Sequence, residues 1–421
     1  MIQSTAEAAA RSRWARWSVA LGGAASLAVA MGIGRFAFTP LLPMMLDDGV
    51  IDLQAASWLA SANYMGYLVG ALLCTFQPWI WARVRVVPAV NAPALVRAGL
   101  VATVLLTLAM AMPAPTLWPA LRFAAGVASA VVFVFTSGWC LAQLARQQAT
   151  ALGGVMYTGP GAGIVVSGFF ASGMVSWQWR AATGWLIFSV LAALLTAAVW
   201  RVFGKGAFPR PGAAADSVAD AEGGTALHGR AELAFMALAY GLAGFGYIVS
   251  ATFLPVIARQ ALPGSAWLDL FWPIFGSGVI AGALLATRLR FDGDLRLLLA
   301  GCYVVQALGI FVGIWSPTLA GFASGSLLLG LPFTAITFFA MREVRRLRPA
   351  MVASAMGLLT ALYGVGQIVG PPMVAALLSR DATARESFAM SLELAAAALL
   401  AGALLYLWMT RAYPLGRAAR A

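Results

Sequence analysis

The chain has 421 residues, 62% of them hydrophobic and 10% charged, against about 45–50% and about 25% in soluble domains. That balance excludes a water-soluble globular protein and places the chain in lipid. The net charge of +12 suits nucleic acid only as a clustered surface patch, and the basic residues are instead strung between apolar runs.

A helix crossing the ~30 Å hydrocarbon core needs about 20 mostly apolar residues. Twelve stretches qualify: 18–45, 56–76, 98–113, 117–142, 152–174, 182–202, 232–257, 268–287, 296–315, 318–341, 352–378 and 388–410. The first follows Arg11, Arg13 and Arg16 and reaches Ala28-Val29-Ala30, the form of a cleaved signal peptide. Its apolar character nevertheless continues to Leu46, interrupted by Arg35, so we read it as a retained first span.

Gly32-Ile33-Gly34-Arg35, running on to Leu42-Pro43, recurs 212 residues later as Gly244-Phe245-Gly246-Tyr247, running on to Leu254-Pro255. At the same offset Gly66, Gly70 and Ala71 meet Gly278, Gly282 and Ala283. Two like halves in one orientation are the signature of a transporter that rocks one half against the other. The expected organisation is a six-helix bundle over 1–202, a linker over 203–231 rich in Gly, Pro and Ala, and a second bundle over 232–421. The fold class is all-α, with twelve transmembrane helices in two pseudo-symmetric bundles.

With both termini cytoplasmic, the inner side holds 21 Arg and Lys residues and the outer side holds Arg180, Arg259, Arg380 and Arg385. This is the positive-inside pattern, and nucleic-acid binding is not expected. Outer turns carry Asp47, Asp48, Asp52, Asp269, Asp381 and Glu386, with Asp52 and Asp269 placed to cap the second and eighth helices. Trp14, Trp17, Trp79, Trp81, Trp177, Trp179 and Trp200 lie near span ends and read as interfacial anchors. Cys74, Cys140 and Cys302 are far apart, and the single histidine, His228, lies in the linker. Neither a metal site nor a cofactor is expected, and no cluster of nucleophiles and acids suggests an enzyme.

Small residues pair at four-residue spacing in Gly66/Gly70, Gly159/Gly163, Gly278/Gly282 and Gly321/Gly325. Such pairs let membrane helices approach closely and leave smooth faces for sliding. Pro40, Pro43, Pro160, Pro255, Pro273, Pro332, Pro371 and Pro372 each remove a backbone hydrogen bond and mark candidate kinks.

Arg35 and Arg122 lie inside spans, where an arginine costs about 2.5–3.5 kcal/mol even on the lenient insertion scale. Both are candidates for substrate contact, the alternative being pairing with helix carbonyls, or with Asp47 and Asp48 by reaching toward the surface. Arg122, Ser129, Thr136 and Gln143, each seven residues apart, share one face of the fourth helix and are expected to line a path. Asn63 and Tyr64, Tyr240 and Tyr247, and Tyr363 and Gln367 complete the candidate cavity, with Tyr247 at the repeat position of Arg35. Glu393, in the last span, is the candidate coupling carboxylate. Cationic groups in one half and phenols in the other suit an anionic or amphipathic organic solute.

Arg122-Phe-Ala-Ala-Gly126 resembles the Arg-x-x-x-Gly element of the major facilitator superfamily, and Gly159-Pro160-Gly161-Ala162-Gly163 is similar to its Gly-Pro element of exporters and antiporters. Met31 to Pro43, with Ser61-Ala-Asn-Tyr-Met-Gly-Tyr67, resembles the YbfB/YjiJ branch. The resemblance implies membrane transport, with Arg122, Gly159, Pro160 and Gly163 in coupling or gating. The superfamily's Gly-x-x-x-Asp-Arg-x-Gly-Arg loop is absent after Gly70, where Ala-Leu-Leu-Cys-Thr-Phe-Gln-Pro stands and only Arg83 and Arg85 keep the charge.

The expected function is secondary active transport of a small organic solute by alternating access, with proton-coupled efflux as one form of it. An uncoupled facilitator or exchanger, and a non-transporting receptor or scaffold, stay open. The expected partners are the solute and the lipid bilayer, around a monomer in a bacterial inner membrane.

Overall fold

The computed structural model describes residues 2–83, 91–204, 230–262, 264–265, 267–289, 291, 293–348, 352–379 and 383–415. Most of the expected linker, His228, Arg85, Arg380 and Asp381 lie outside them, as do the side chains of Trp79, Trp81 and Arg83. Among the described residues twelve helices are long and apolar enough to cross a membrane. They are α1 (Arg13–Asp47), α2 (Leu53–Gln77), α3 (Ala92–Ala109), α4 (Trp118–Arg146), α5 (Thr150–Ser176) and α6 (Ala181–Val199). The second six are α7 (Arg230–Ala261), α8 (Leu268–Arg288), α9 (Leu295–Trp315), α10 (Leu319–Leu347), α11 (Ala355–Leu378) and α12 (Ala384–Ala412). Outward faces carry Leu105, Leu194, Leu285 and Leu404, apolar side chains exposed as lipid contact requires. Trp14, Trp17, Trp177, Trp179 and Trp200 are exposed near helix ends.

With an even number of spans the two chain ends share one side, called here the terminal side, and the opposite face is the far side. Each half repeats the same packing: α2 on α4 as α8 on α10, α3 on α6 as α9 on α12, and α1 on α5 as α7 on α11. Glycines make the crossings close. A Cβ on Gly66 would collide with the Phe123 carbonyl and one on Gly126 with that of Asn63, while in the second half Gly282 meets the Leu331 carbonyl and Gly330 that of Phe275. Since lipid supplies no hydrophobic drive between helices, this backbone-to-backbone contact is what holds each bundle together.

The halves differ in their first helices. α7 runs unbroken through Pro255, whereas α1 passes through a π-helical stretch at Ala28–Ile33 and a turn before the helix resumes at Phe38–Asp47. The break precedes Pro40 and Pro43 rather than falling on them. Arg122 accounts for it: Nη1 donates to the Gly34 carbonyl at 3.2 Å and Nη2 to that of Arg35 at 3.0 Å, while Ser129 Oγ donates to the Ala30 carbonyl at 2.7 Å. In the second half the Gly330–Phe275 crossing matches Gly126–Asn63, which puts Ser326 where Arg122 stands in the first, and its hydroxyl bonds within its own helix to Phe322. Without a guanidinium to take the freed carbonyls, α7 stays regular.

Between the halves, α2 packs on α11 and α5 on α8. Among the described residues α1 meets α7 mainly through its far-side segment Phe38–Asp47, and α4 and α10 have no extensive packing against each other. The halves are therefore joined on the far side at the centre. Asp52 caps α2 as expected, accepting from the Ala55 amide at 2.7 Å. Asp269 corrects the expectation of a cap on α8: it lies in a short 3-10 turn and pairs with Arg259 at 2.9 Å, and Arg259 also reaches Asp47 at 3.4 Å.

Candidate functional site

The break in α1 positions Arg35. Its side chain is 3% exposed and crosses to the other half, where Nη2 donates to Gln367 Oε1 on α11 at 2.5 Å. Gln367 Nε2 in turn donates to the hydroxyl of Tyr247 on α7. A single amide thus links Arg35 to the residue at its own repeat position. The guanidinium carbon lies 4.1 Å from the ring centre of Tyr67, 5.1 Å from that of Tyr64 and 5.3 Å from that of Phe36. These ring faces stabilise a cation that has left water. Among the described residues no carboxylate pairs with Arg35 or Arg122.

On the second half the rings form a continuous wall. Tyr240 stacks on Tyr363 at 4.6 Å, Tyr363 on Tyr247 at 5.8 Å, and Tyr247 meets Phe333 edge-on at 5.0 Å. Tyr240 donates to Thr337 Oγ1 at 3.0 Å. Tyr363, Phe333 and Thr337 of this wall, and Tyr67 facing them, are half-buried, while Tyr240 and Tyr247 are buried.

The structure therefore brings together Arg35, Tyr64, Tyr240, Tyr247, Tyr363 and Gln367 of the expected set. It places four others behind them. Arg122, 2% exposed, has its two terminal nitrogens on the α1 backbone, with its carbon 4.9 Å from the Phe38 ring centre. Asn63 donates to the Arg122 carbonyl at 2.8 Å, tying α2 to α4, and Ser129 holds Ala30. Thr136 is buried with no hydrogen-bond partner for its hydroxyl. The polar stripe of α4 thus faces the backbone of α1 at Arg122 and Ser129, a correction to its reading as the lining of an open path. Tyr64 has a second role, sharing a hydrogen bond of 2.9 Å with Thr252 across the halves.

Gly159 and Gly163 lie against Ala24 and Ala28 of α1, so the element that includes Pro160 seats α5 on the π-helical stretch. Glu393 is exposed on the outward face of α12 with Met390 and Leu394, away from the ring wall.

Sequence reasoning missed Tyr67, the ring nearest Arg35, although it ends the quoted Ser61–Tyr67 motif and lies one helical turn from Asn63. It also missed a buried ion cluster on the terminal side. Arg296 of α9 is wholly buried and reaches Glu232 at 3.2 Å, Asp294 at 2.8 Å and Glu343 at 3.8 Å, with further bonds to the Met409 and Tyr413 carbonyls. The signal was three acids on a side otherwise crowded with arginine.

Twelve helices in two like halves, closed around a central polar and aromatic cluster, define a membrane transporter of the major facilitator class. A model of the family described as "Uncharacterised MFS-type transporter YbfB" matches residues 27–407, and the chain belongs to that family. Its fold is similar to the crystal structure of a D-xylose-proton symporter, with a TM-score of 0.71, 12% identity, and 93% of this chain and 97% of that one covered. At that identity the likeness is one of fold. No curated protein matches the chain.

Proposed function

We propose that the protein is a secondary carrier that moves a small organic anion, or an amphipathic solute with an anionic group, by rocking its two bundles about a site centred on Arg35. The observation that carries this reading is a buried guanidinium at the junction of the halves with no carboxylate paired to it among the described residues. A buried charge without a counter-ion is costly, and an anionic solute supplies the missing partner. The contact of α1 with α7 through Phe38–Asp47 supports a state closed on the far side, with α5 and α8 also meeting near the terminal side at Gly154 and Thr287. With 21 basic residues on the terminal side, that side is cytoplasmic by the positive-inside rule, and the closed far side is the outer face of a bacterial inner membrane.

A facilitator or exchanger is favoured over proton coupling by one observation: Glu393, the expected relay, lies on the exposed face of α12. The test is flux of a panel of labelled organic anions into sealed vesicles carrying the purified protein. Arg35→Gln is expected to abolish flux while leaving the protein folded. Unchanged flux in that variant, or no flux of any anion in the parent, would overturn the reading.

A further inference from the structure

Gln367 has the shape of a carboxylate without its charge, and it stands on Arg35, whose guanidinium, unlike that of Arg122, is not held by backbone carbonyls. In an arginine the N–H of Nε and one N–H of Nη2 point along a common edge, which a carboxylate fills with two parallel bonds. In Arg35 that edge is half used: Nη2 donates to Gln367 Oε1, while Nε is buried with no hydrogen-bond partner. The Gln367 oxygen takes only Nη2 here, whereas the two oxygens of a carboxylate take both donors.

We infer that Gln367 is a built-in stand-in for the substrate's carboxylate, and that the solute displacing it is an aromatic monocarboxylate. This rests on the anion reading above and narrows it. A single negative charge is indicated because Arg122, the other cation nearby, is committed to the Gly34 and Arg35 carbonyls. Beside that edge a carboxylate also meets the Tyr247 hydroxyl that Gln367 now holds. An aromatic body is indicated by the partly exposed rings of Tyr67, Tyr363 and Phe333, which surround the guanidinium with aromatic rather than polar side chains. An amino acid is disfavoured, since no carboxylate among the described residues stands in the cluster to receive its ammonium. Displacement also has a mechanical consequence. The Arg35–Gln367–Tyr247 chain joins α1 to α11 and α7, so a solute that takes Arg35 from Gln367 removes a bond between the halves and favours their parting.

The probe is benzoate, with cyclohexanecarboxylate and benzylamine as controls, titrated against the full chain in lipid nanodiscs and read as affinity and unfolding midpoint. Benzoate is expected to bind the parent, and Gln367→Ala to bind it about tenfold tighter, the effect of removing one competing hydrogen bond to a charged group. Gln367→Glu, whose carboxylate sits permanently on Arg35, is expected to raise the midpoint of the empty protein and to lose the benzoate response. Where one variant is not recovered, the other decides. Gln367→Ala binding no tighter than the parent, or Gln367→Glu binding as well as the parent, overturns the stand-in. Equal binding of cyclohexanecarboxylate overturns the aromatic class. If Arg35-dependent flux of other anions is seen while benzoate binds none of the three proteins, the inference falls and the anion reading stands; if Arg35→Gln leaves anion flux intact, the anion reading itself falls.

Discussion

The hydroxyl of Thr39 donates to the backbone carbonyl of Ala251 at 2.8 Å, and Ala251 is the residue 212 positions further on, its own counterpart in the second half. Asp47 and Arg259, an ion pair at 3.4 Å, are separated by the same 212 positions. Residues that touch their own counterparts lie beside the axis relating the halves, so that axis passes between the far-side segments of α1 and α7. These contacts form the far-side closure. Bridging Asp47→Cys and Arg259→Cys with a short bifunctional thiol reagent, in a background with Cys74, Cys140 and Cys302 replaced, is expected to stop flux, and cleaving the bridge to restore it. Undiminished flux in the bridged protein would show that this closure does not open during transport.

Arg35 and Arg122 are expected to respond differently to the same conservative change. Arg35→Lys keeps the charge but loses the two-donor edge, and its effect is expected as a rise in KM of about tenfold, or ~1.4 kcal/mol, with a near-parental unfolding midpoint. Arg122→Lys loses the planar fork that reaches the Gly34 and Arg35 carbonyls from two nitrogens, and charge-assisted bonds of this kind contribute about 1.5–3 kcal/mol each. Its loss should appear first in the unfolding midpoint and in the yield of folded protein.

Crossings made by glycine predict a sharp positional contrast. Gly66→Ala drives a methyl into the Phe123 carbonyl, whereas nothing lies within 4 Å of a Cβ on Gly138. Overpacking of this kind costs about 1–3 kcal/mol or more, so Gly66→Ala should lower the midpoint clearly and Gly138→Ala should not. Monodispersity after detergent extraction is a second readout.

Arg296 is the strongest stability prediction. Replacing it with Leu removes the buried cation that Glu232, Asp294 and Glu343 share, leaving Arg346 to Asp294 and Glu343. Breaking a buried ion pair from one side costs about 3–5 kcal/mol, enough to unfold the second bundle. Glu393→Gln, on the outward face of α12, is expected to leave both flux and midpoint unchanged.

Much of this was legible before any coordinates, because lipid imposes a simple rule on composition and because a duplicated chain prints its symmetry as a fixed offset. The spans and the like halves follow from those two facts, whereas the first-half rings of Tyr64 and Tyr67 beside Arg35, and its link to Tyr247 through Gln367, do not. The break in α1 was not legible: nothing in Ala28–Ile33 marks a π-helical stretch, and its cause, Arg122, lies 88 positions beyond Gly34. For the same reason the α4 stripe read as a path lining, since a polar face seeks either water or backbone and periodicity cannot tell the two apart. The Arg296 cluster was hidden by separation, Glu232 lying 64 residues from Arg296.

The most direct test is the distance between spin labels at Val50→Cys and Ser265→Cys, in far-side loops on opposite halves, measured in nanodiscs by double electron–electron resonance. In the empty protein one short distance is expected. Addition of a transported organic anion should raise a longer-distance population, and the Arg35→Gln variant should not show it. A single distance unmoved by any transported anion, or an equal shift in the Arg35→Gln variant, would contradict a far-side closure controlled from Arg35.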